Sequence, residues 1–189
     1  MLIYLHGFRS SPLSFKARLI AERLAAAGRG AEFACPQLPP SPRAAIELVR
    51  AQFKPGSGDT LIGSSLGGYY ATYLAEAHGC RAVLLNPAIH PGRDLAPYVG
   101  PMAMYHSDEL FEFQASYIDE MRELETVRIT RPERYFLVAA KGDELIDWRD
   151  MVARYAGVET LLLAGSDHGL SDFADYCERV IAFAGPGMA

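Results

Sequence analysis

A serine held between glycines is the first group in this sequence that could do chemistry. Residues 63–67 read Gly-Ser-Ser-Leu-Gly and match the pattern G-x-S-x-G, in which a tight strand-to-helix turn exposes a serine hydroxyl above a sheet. The pattern alone is weak, because small residues also pack tight turns. Its context fits: the apolar run Thr60–Ile62 precedes it, and a helical pattern over Leu66–His78 follows. We therefore predict that Ser65 is a nucleophile.

A serine nucleophile needs a base, and histidine is the side chain whose ordinary pKa lies near neutrality. The chain has five histidines: His6, His78, His90, His106 and His168. Only His168 both follows the last predicted strand and lies in a glycine-flanked loop near the C-terminus. His78 ends a predicted helix, where an imidazole complements the helix dipole. We predict His168 as the base, and expect His6 to order its own loop through hydrogen bonds.

The third group is a carboxylate that would orient the histidine. Asp143 follows the predicted strand Tyr135–Ala140, and sites in open α/β sheets gather at the carboxyl ends of strands. Asp147 is the better candidate for the cap of the next helix. Glu144 either points away or bridges to a neighbouring loop. With Asp143 as the acid, the chain order is serine, aspartate, histidine, which is the order found in α/β-hydrolases.

Two backbone N–H groups must face the oxyanion that forms when a serine attacks a carbonyl carbon. We predict one from Leu66, directly after the nucleophile, and one from Phe8, in the loop after the first strand. Arg9 lies in that same loop. It is either a contact for an anionic substrate or a solvated loop cation, and the second alternative is the more ordinary one.

The elements that must position these groups alternate between strands and helices. The expected strands are Leu2–Leu5, Ala31–Cys35, a run beginning at Thr60–Ile62, Ala82–Leu85, Tyr135–Ala140 and Glu159–Leu163. The expected helices are Ser14–Ala27, Pro42–Phe53, Leu66–His78, Asp147–Tyr155 and Asp172–Phe183. This alternation predicts a three-layer α/β fold, with six parallel strands and helices on both faces.

The segment Pro91–Pro132 breaks this rhythm. It contains no run that resembles a strand, and Glu109–Glu125 has a weakly amphipathic helical pattern. About 40 residues rarely hold a core of their own, so we predict a helical insertion within one domain rather than a second domain. Its methionines and aromatic residues suit a lid or an acyl pocket, and suit ordinary packing equally well.

Composition narrows the class of protein further. The chain has 189 residues, which is the size of one domain. Its net charge of −5 argues against a broad basic face for nucleic acid. The three cysteines are far apart and form no CxxC, so we expect buried thiols rather than disulfides or a zinc site. We find no signal peptide and no membrane span, and expect a cytoplasmic protein without metal or cofactor.

Two stretches carry a resemblance to a known family: residues 4–8, Tyr-Leu-His-Gly-Phe, and residues 63–72, Gly-Ser-Ser-Leu-Gly-Gly-Tyr-Tyr-Ala-Thr. Together with Asn86-Pro87-Ala88, Gly142-Asp143-Glu144 and Asp167-His168, they resemble the YqiA-type esterases, which are compact bacterial α/β-hydrolases. The resemblance implies esterase activity on short-chain acyl esters, with palmitoyl-CoA and p-nitrophenyl esters as usual test substrates. It also places the family's serine, aspartate and histidine on Ser65, Asp143 and His168.

The segment Pro91–Pro132 departs most from that family, so acyl-chain selectivity does not carry over. We expect a minimal hydrolase, because Leu2–Leu5 leaves no room for the two leading strands of larger relatives. The leading prediction is a serine hydrolase that cleaves small acyl esters or thioesters. The alternative is a binding protein that keeps the hydrolase scaffold without turnover. The sequence determines neither the natural substrate nor the oligomeric state.

Overall fold

The computed structural model describes residues 1–103 and 110–185. The strands within these ranges are β1 (Leu2–Leu5), β2 (Phe33–Ala34), β3 (Thr60–Ser64), β4 (Arg81–Leu85), β5 (Gly100–Ala103), β6 (Leu110–Phe113), β7 (Tyr135–Ala140) and β8 (Glu159–Leu163). The helices there are α1 (Phe15–Ala26), α2 (Pro42–Phe53), α3 (Leu66–His78), α4 (Pro91–Asp94), α5 (Ser116–Glu123), α6 (Trp148–Arg154) and α7 (Cys177–Ala184).

Six of these strands form one parallel sheet in the order β2-β1-β3-β4-β7-β8. Parallel neighbours need crossover connections, and the helices between the strands supply them. Residues of α1 and α7 share one core cluster, whereas residues of α2, α3 and α6 share another. Successive strand residues divide between the two clusters, as with Tyr4 and Leu5. The three-layer prediction is confirmed.

Local signals fix where two of the helices begin. At the start of α2, the Ser41 Oγ accepts the Ala44 N–H at 3.1 Å, and Pro42 occupies the first turn. At the start of α6, an Asp147 carboxylate oxygen accepts the Arg149 N–H at 2.8 Å. The predicted capping role of Asp147 is therefore confirmed. The carboxylate is occupied at a helix end.

The prediction of an insertion without strands is wrong. β5 and β6 pair as an antiparallel ribbon in which Met102 lies opposite Phe111. A helix was expected over Glu109–Glu125. The structure instead has the strand β6 in the first part of this range and the shorter helix α5 in the second. β5 and β6 have four residues each and form a two-stranded sheet of their own. A run of four residues is too short for its hydrophobic periodicity to indicate a strand. The predicted insertion residues Met104, Tyr105 and His106 lie outside the described residues.

Part of the insertion belongs to the main core. Phe113, Ile118, Met121 and Leu124 are buried in the same cluster as Leu74 of α3. Such burial stabilises the fold by roughly 1.5–3 kcal/mol for each large apolar side chain. The part of the insertion from Phe113 to Leu124 therefore contributes to the stability of the fold.

On α1, Phe15 is 46% exposed, whereas Lys16 is only 9% exposed, which reverses the burial usual for an aromatic residue and a lysine. The closing helix is interrupted: a 3-10 turn over Phe173–Asp175 precedes α7. Cys80 and Cys177 are buried, as expected of free thiols, and Cys35 is half-buried. None of the helices in residues 1–103 and 110–185 is long and apolar enough to cross a membrane.

Candidate active site

Ser65 occupies a sharp turn between β3 and α3. Its φ of 54° and ψ of −121° lie outside the regions that residues other than glycine usually adopt. The Ser65 N–H donates to the Leu85 carbonyl oxygen at 3.0 Å and so ties the turn to β4. A side chain at Gly67 would place Cβ 1.9 Å from the Leu5 carbonyl oxygen, and one at Gly63 would place it 2.2 Å from the Gly67 oxygen. Close backbone approach therefore requires both glycines.

The fold brings Ser65, His168 and Asp143 together from three separate loops. The His168 Nε2 lies 3.0 Å from the Ser65 Oγ. The His168 Nδ1 lies 2.8 Å from the Asp143 Oδ2. The side chain of Asp143 is 0% exposed and that of His168 is 16% exposed. Each of the three predicted residues thus lies within hydrogen-bond distance of the next.

The Asp143 carboxylate is held in place from two sides. Its Oδ1 accepts the N–H groups of Leu145 at 2.8 Å and of Ile146 at 2.9 Å, while Oδ2 faces the imidazole. These hydrogen bonds fix the orientation of the carboxylate. With Oδ2 as an acceptor, the proton of a neutral His168 belongs on Nδ1, and Nε2 keeps a lone pair for the hydroxyl of Ser65.

The two alternative carboxylates occupy other positions. The Glu144 Oε2 accepts the backbone N–H of His168 at 2.9 Å, so this side chain bridges to the histidine loop rather than pointing away. Asp147 caps α6, as described above. Of the three acids considered from the sequence, Asp143 is the one that faces the imidazole.

Asn86 is a positioning residue that the sequence analysis missed. It directly follows β4, is fully buried and adopts a left-handed φ of 42°. Its Nδ2 donates to the carbonyl oxygens of Asp167 at 3.0 Å and His168 at 3.2 Å, while its Oδ1 accepts the Ala140 N–H at 2.9 Å. Asparagine tolerates this conformation better than most residues. The side chain ties the histidine loop to the ends of β4 and β7.

Replacing Asn86 with alanine is expected to lower the free energy of unfolding by about 2–4 kcal/mol, because the buried Ala140 N–H and two partly buried carbonyl oxygens lose their partner. Loosening the histidine loop should lower kcat/KM by up to about 10²-fold. Denaturant titration and ester hydrolysis measure the two effects. Gln52→Ala, which removes an exposed amide from α2, is the matched control. Wild-type stability in Asn86→Ala would contradict the assignment.

Phe8 and Leu66, the predicted oxyanion donors, line the same cavity as Ser65. Leu66 is the first residue of α3, where an N–H has no acceptor within the helix. His6 is buried, its Nε2 accepts the Leu38 N–H at 3.0 Å, and its Nδ1 lies 3.0 Å from the Gly7 carbonyl oxygen. His6 therefore orders the loop that carries Phe8, as expected.

A cavity of about 360 Å³ opens above Ser65 and His168. We call the apolar lining residues the apolar wall; they are Phe8, Leu66, Ala88, Pro91, Leu95, Tyr98, Leu145 and Ile146. We call the polar lining residues other than Ser65 and His168 the polar wall; they are Tyr4, Arg9, Ser10, Ser14, Lys16, Ser64 and Asp94. The cavity therefore offers a substrate two chemically different surfaces.

Lys16 is a second residue at the site that the sequence analysis did not single out. Its Nζ donates to the Gly169 carbonyl oxygen, next to His168. Burial lowers the pKa of Lys16 to about 8, and the charges of Asp167 and Asp143 partly offset that effect. A signal was present, because Lys16, Ile20 and Leu24 follow each other at intervals of four residues and so share one helix face.

Arg9 connects the oxyanion loop to the insertion. Its Nε donates to the Ala103 carbonyl oxygen at 2.6 Å, and the residue is half-buried with a φ of 58°. It also lines the cavity. The expectation of a solvated loop cation is therefore too simple. Within the described ranges, no cluster of three or more His, Cys, Asp or Glu side chains could hold a metal ion.

Comparison with known families gives one match over nearly the whole chain. The model of the Uncharacterised protein family UPF0227 matches residues 1–185. That range includes the serine turn, the insertion and the histidine loop.

Solved structures give the fold a name. A protein from Agrobacterium vitis S4, provisionally described as a hydrolase, shares 20% identity at a TM-score of 0.74 and covers 97% of this chain and 87% of its own. Mouse α/β hydrolase domain-containing protein 10 shares 18% identity at a TM-score of 0.71, covering 95% and 86%. The esterase domain of a Rhodothermus marinus protein shares 21% at 0.65, covering 97% and 85%. The fold is that of the α/β-hydrolases, as predicted.

Proposed function

The chain belongs to the UPF0227 family, the YqiA family that its sequence resembles, and we propose that it is a serine hydrolase of small carboxylic esters or thioesters. The observation that carries the proposal is the continuous hydrogen-bonded path from Ser65 through His168 to buried Asp143. The alternative, a binding protein without turnover, does not require that alignment.

In the proposed reaction, the Ser65 Oγ attacks the carbonyl carbon of the ester and passes its proton to the His168 Nε2. Asp143 keeps the imidazole oriented and stabilises the imidazolium. The N–H groups of Phe8 and Leu66 stabilise the oxyanion, an arrangement in which one donor is typically worth roughly 10²–10³ in rate. His168 then protonates the leaving oxygen or sulfur, and an acyl group remains on Ser65.

Water completes the cycle. His168 takes a proton from a water molecule, the resulting hydroxide attacks the acyl carbon, and Ser65 regains its proton as the acid leaves. These steps use only side chains and backbone groups of the chain. We propose a small-molecule ester or thioester as the partner, since a net charge of −5 does not favour nucleic acid.

The test of this function is covalent labelling. A fluorophosphonate probe should modify the folded protein, and peptide mass spectrometry should locate the adduct on Ser65. Folded protein that neither reacts with the probe nor hydrolyses p-nitrophenyl acetate would favour the alternative, a binding protein on a hydrolase scaffold.

We also propose that the insertion forms the acyl pocket and the cover of the site. The Phe8 ring meets the rings of Tyr98 at 6.2 Å, Phe111 at 6.2 Å and Phe113 at 5.0 Å between centroids. Leu95 and Tyr98 also line the cavity. Because the same insertion supplies buried core residues, replacing it with a linker would damage the fold, and single substitutions give the sharper test.

Truncating Leu95 or Tyr98 to alanine should widen the apolar wall. We expect the ratio of kcat/KM for longer over shorter acyl chains to rise by about tenfold, because one methylene in an apolar pocket changes kcat/KM by roughly that factor. The measurement is kcat/KM for p-nitrophenyl esters of graded chain length. Val127→Ala, at a position of the insertion that is 90% exposed, is the control. An unchanged chain-length profile in both pocket variants would refute the acyl-pocket role.

A further inference from the structure

We propose that the polar wall of the cavity is a subsite for a carboxylate carried by the alcohol portion of the ester, with Lys16 as its principal contact. This inference rests on the proposed hydrolase function and narrows its substrate class. It predicts that the enzyme prefers esters whose leaving group is anionic over neutral esters of the same shape.

Among the residues that the structure describes, the Lys16 ammonium makes one of its three possible hydrogen bonds. Only 9% of the residue is exposed, yet it lines the cavity beside the reacting groups. An ammonium group has three donors, and the Gly169 carbonyl oxygen accepts one of them. Since its pKa is about 8, the group is mainly charged at neutral pH. A buried cation with unused donors is costly unless something pairs with it, and a ligand carboxylate would do so.

Two buried hydroxyl groups belong to the same cavity lining as the cation. The Ser14 Oγ has no hydrogen bond of good geometry among the residues that the structure describes, and it lies near enough to the Tyr4 hydroxyl to act on the pKa of that group. Tyr4 is 1% exposed, and burial raises the pKa of its hydroxyl above the ordinary value, so this group stays protonated. Both residues line the cavity with Lys16. An oxyanion in that position could accept from an ammonium and from hydroxyl groups together.

The negative charges around Lys16 leave room for another anion. Asp143 is already occupied by the imidazole and by two backbone N–H groups. Asp167, whose charge raises the pKa of Lys16 more than that of Asp143 does, accepts the Ser171 N–H at 2.9 Å. Asp94, which also lines the cavity, is paired with Arg93 at 2.7 Å. The guanidinium of Arg9 adds a second positive charge to the lining.

The proposed chemistry places the polar wall on the leaving-group side. His168 must give its proton to the leaving oxygen, so the alcohol portion of the substrate lies towards the imidazole. Lys16 is hydrogen-bonded to Gly169, the residue after His168. The apolar wall, which includes Leu66 and Leu95, is left for the acyl group.

The experiment compares 3-acetoxybenzoate with 3-acetoxybenzamide, which have nearly the same shape but differ in charge. The measured quantity is the ratio of their kcat/KM values. We expect wild-type protein to favour the benzoate by about tenfold, as a charge-assisted hydrogen bond would. Lys16→Met should bring the ratio close to one, whatever its overall activity. Lys54→Met, at an exposed lysine after α2, should keep the wild-type ratio.

A second measurement needs no variant. The benzoate preference in kcat/KM should decline as the pH rises through about 8, because free Lys16 loses its charge there. The charged groups that act on Lys16, Asp167 and Asp143, influence both substrates. The same holds for Arg9, Asp94 and His168 in the cavity lining. Their general effects on the chemical step cancel in the ratio.

The outcomes separate the two proposals. If neither substrate is hydrolysed and no probe reacts with Ser65, the proposed function itself fails. If both are hydrolysed with a ratio near one in wild-type protein, the hydrolase stands and the carboxylate subsite is overturned. A benzoate preference that survives both Lys16→Met and alkaline pH overturns the role of Lys16. If Lys16→Met lowers activity on both substrates and leaves the ratio of their kcat/KM values unchanged, Lys16 positions the histidine loop instead.

Discussion

Ser65→Ala is expected to lower kcat for p-nitrophenyl acetate by on the order of 10⁶-fold, the loss seen when a serine nucleophile of this kind is removed. The variant should also lose all labelling by a fluorophosphonate. The reason is covalent: without the Oγ, no acyl-enzyme can form, and the His168 Nε2 has no hydroxyl 3.0 Å away to deprotonate. Rates of hydrolysis and intact mass after labelling measure both effects.

The fold should tolerate this substitution. Alanine meets the same backbone strain at φ 54° as serine does, and the Leu85 carbonyl oxygen still accepts the N–H of residue 65. Thermal unfolding checks that expectation. Ser57→Ala, in the exposed loop before β3, serves as the matched control and should keep full activity. Fluorophosphonate labelling that persists in Ser65→Ala would contradict the assignment of Ser65 as the nucleophile.

Asp143→Asn is expected to lower kcat at neutral pH by about 10⁴-fold, the effect of the same change in the serine proteases. The substitution keeps the size of the side chain but removes its charge. An amide nitrogen facing the His168 Nδ1 would favour the tautomer with its proton on Nε2, which cannot accept from Ser65. The imidazolium formed during attack would also lose the carboxylate that lies 2.8 Å from Nδ1.

Two neighbouring carboxylates provide internal controls for this prediction. Asp147→Asn should be nearly neutral, because asparagine also caps helices well. Glu144→Gln keeps an acceptor for the His168 N–H and should cost much less than Asp143→Asn. All three changes remove one negative charge from the same loop. If Asp147→Asn or Glu144→Gln proved the most damaging of the three, the acid would have been assigned to the wrong residue.

The residues of the proposed triad could be picked out from the sequence because their signals are local. The serine turn lies between an apolar run and a helical pattern, and the glycines at 63 and 67 mark where backbones approach too closely for a side chain. The order of Ser65, Asp143 and His168 along the chain follows from the loops that end three strands. Each feature can be found within a few consecutive residues, and the family resemblance supports the same positions.

The supporting residues were not predictable in the same way. Asn86 acts through three partners that are 54, 81 and 82 residues away in the chain. Lys16 donates to an acceptor 153 residues away. A lysine on a helix is ordinarily solvated. Its spacing with Ile20 and Leu24 indicates the inward face of α1, but it does not place the ammonium group in the cavity. The short strands of the insertion were missed because four residues show too little hydrophobic periodicity, and because these strands form a sheet apart from the one that was predicted.

The sequence by itself determined the alternation of strands and helices, the parallel three-layer architecture and the candidate nucleophile, base and acid, since hydrophobic periodicity and turn chemistry are properties of neighbouring residues. The tertiary structure decided which of three carboxylates meets the imidazole, what holds the histidine loop and which side chains form the walls of the cavity. Those outcomes depend on contacts between distant segments. Their distances are set by packing, which no local pattern records.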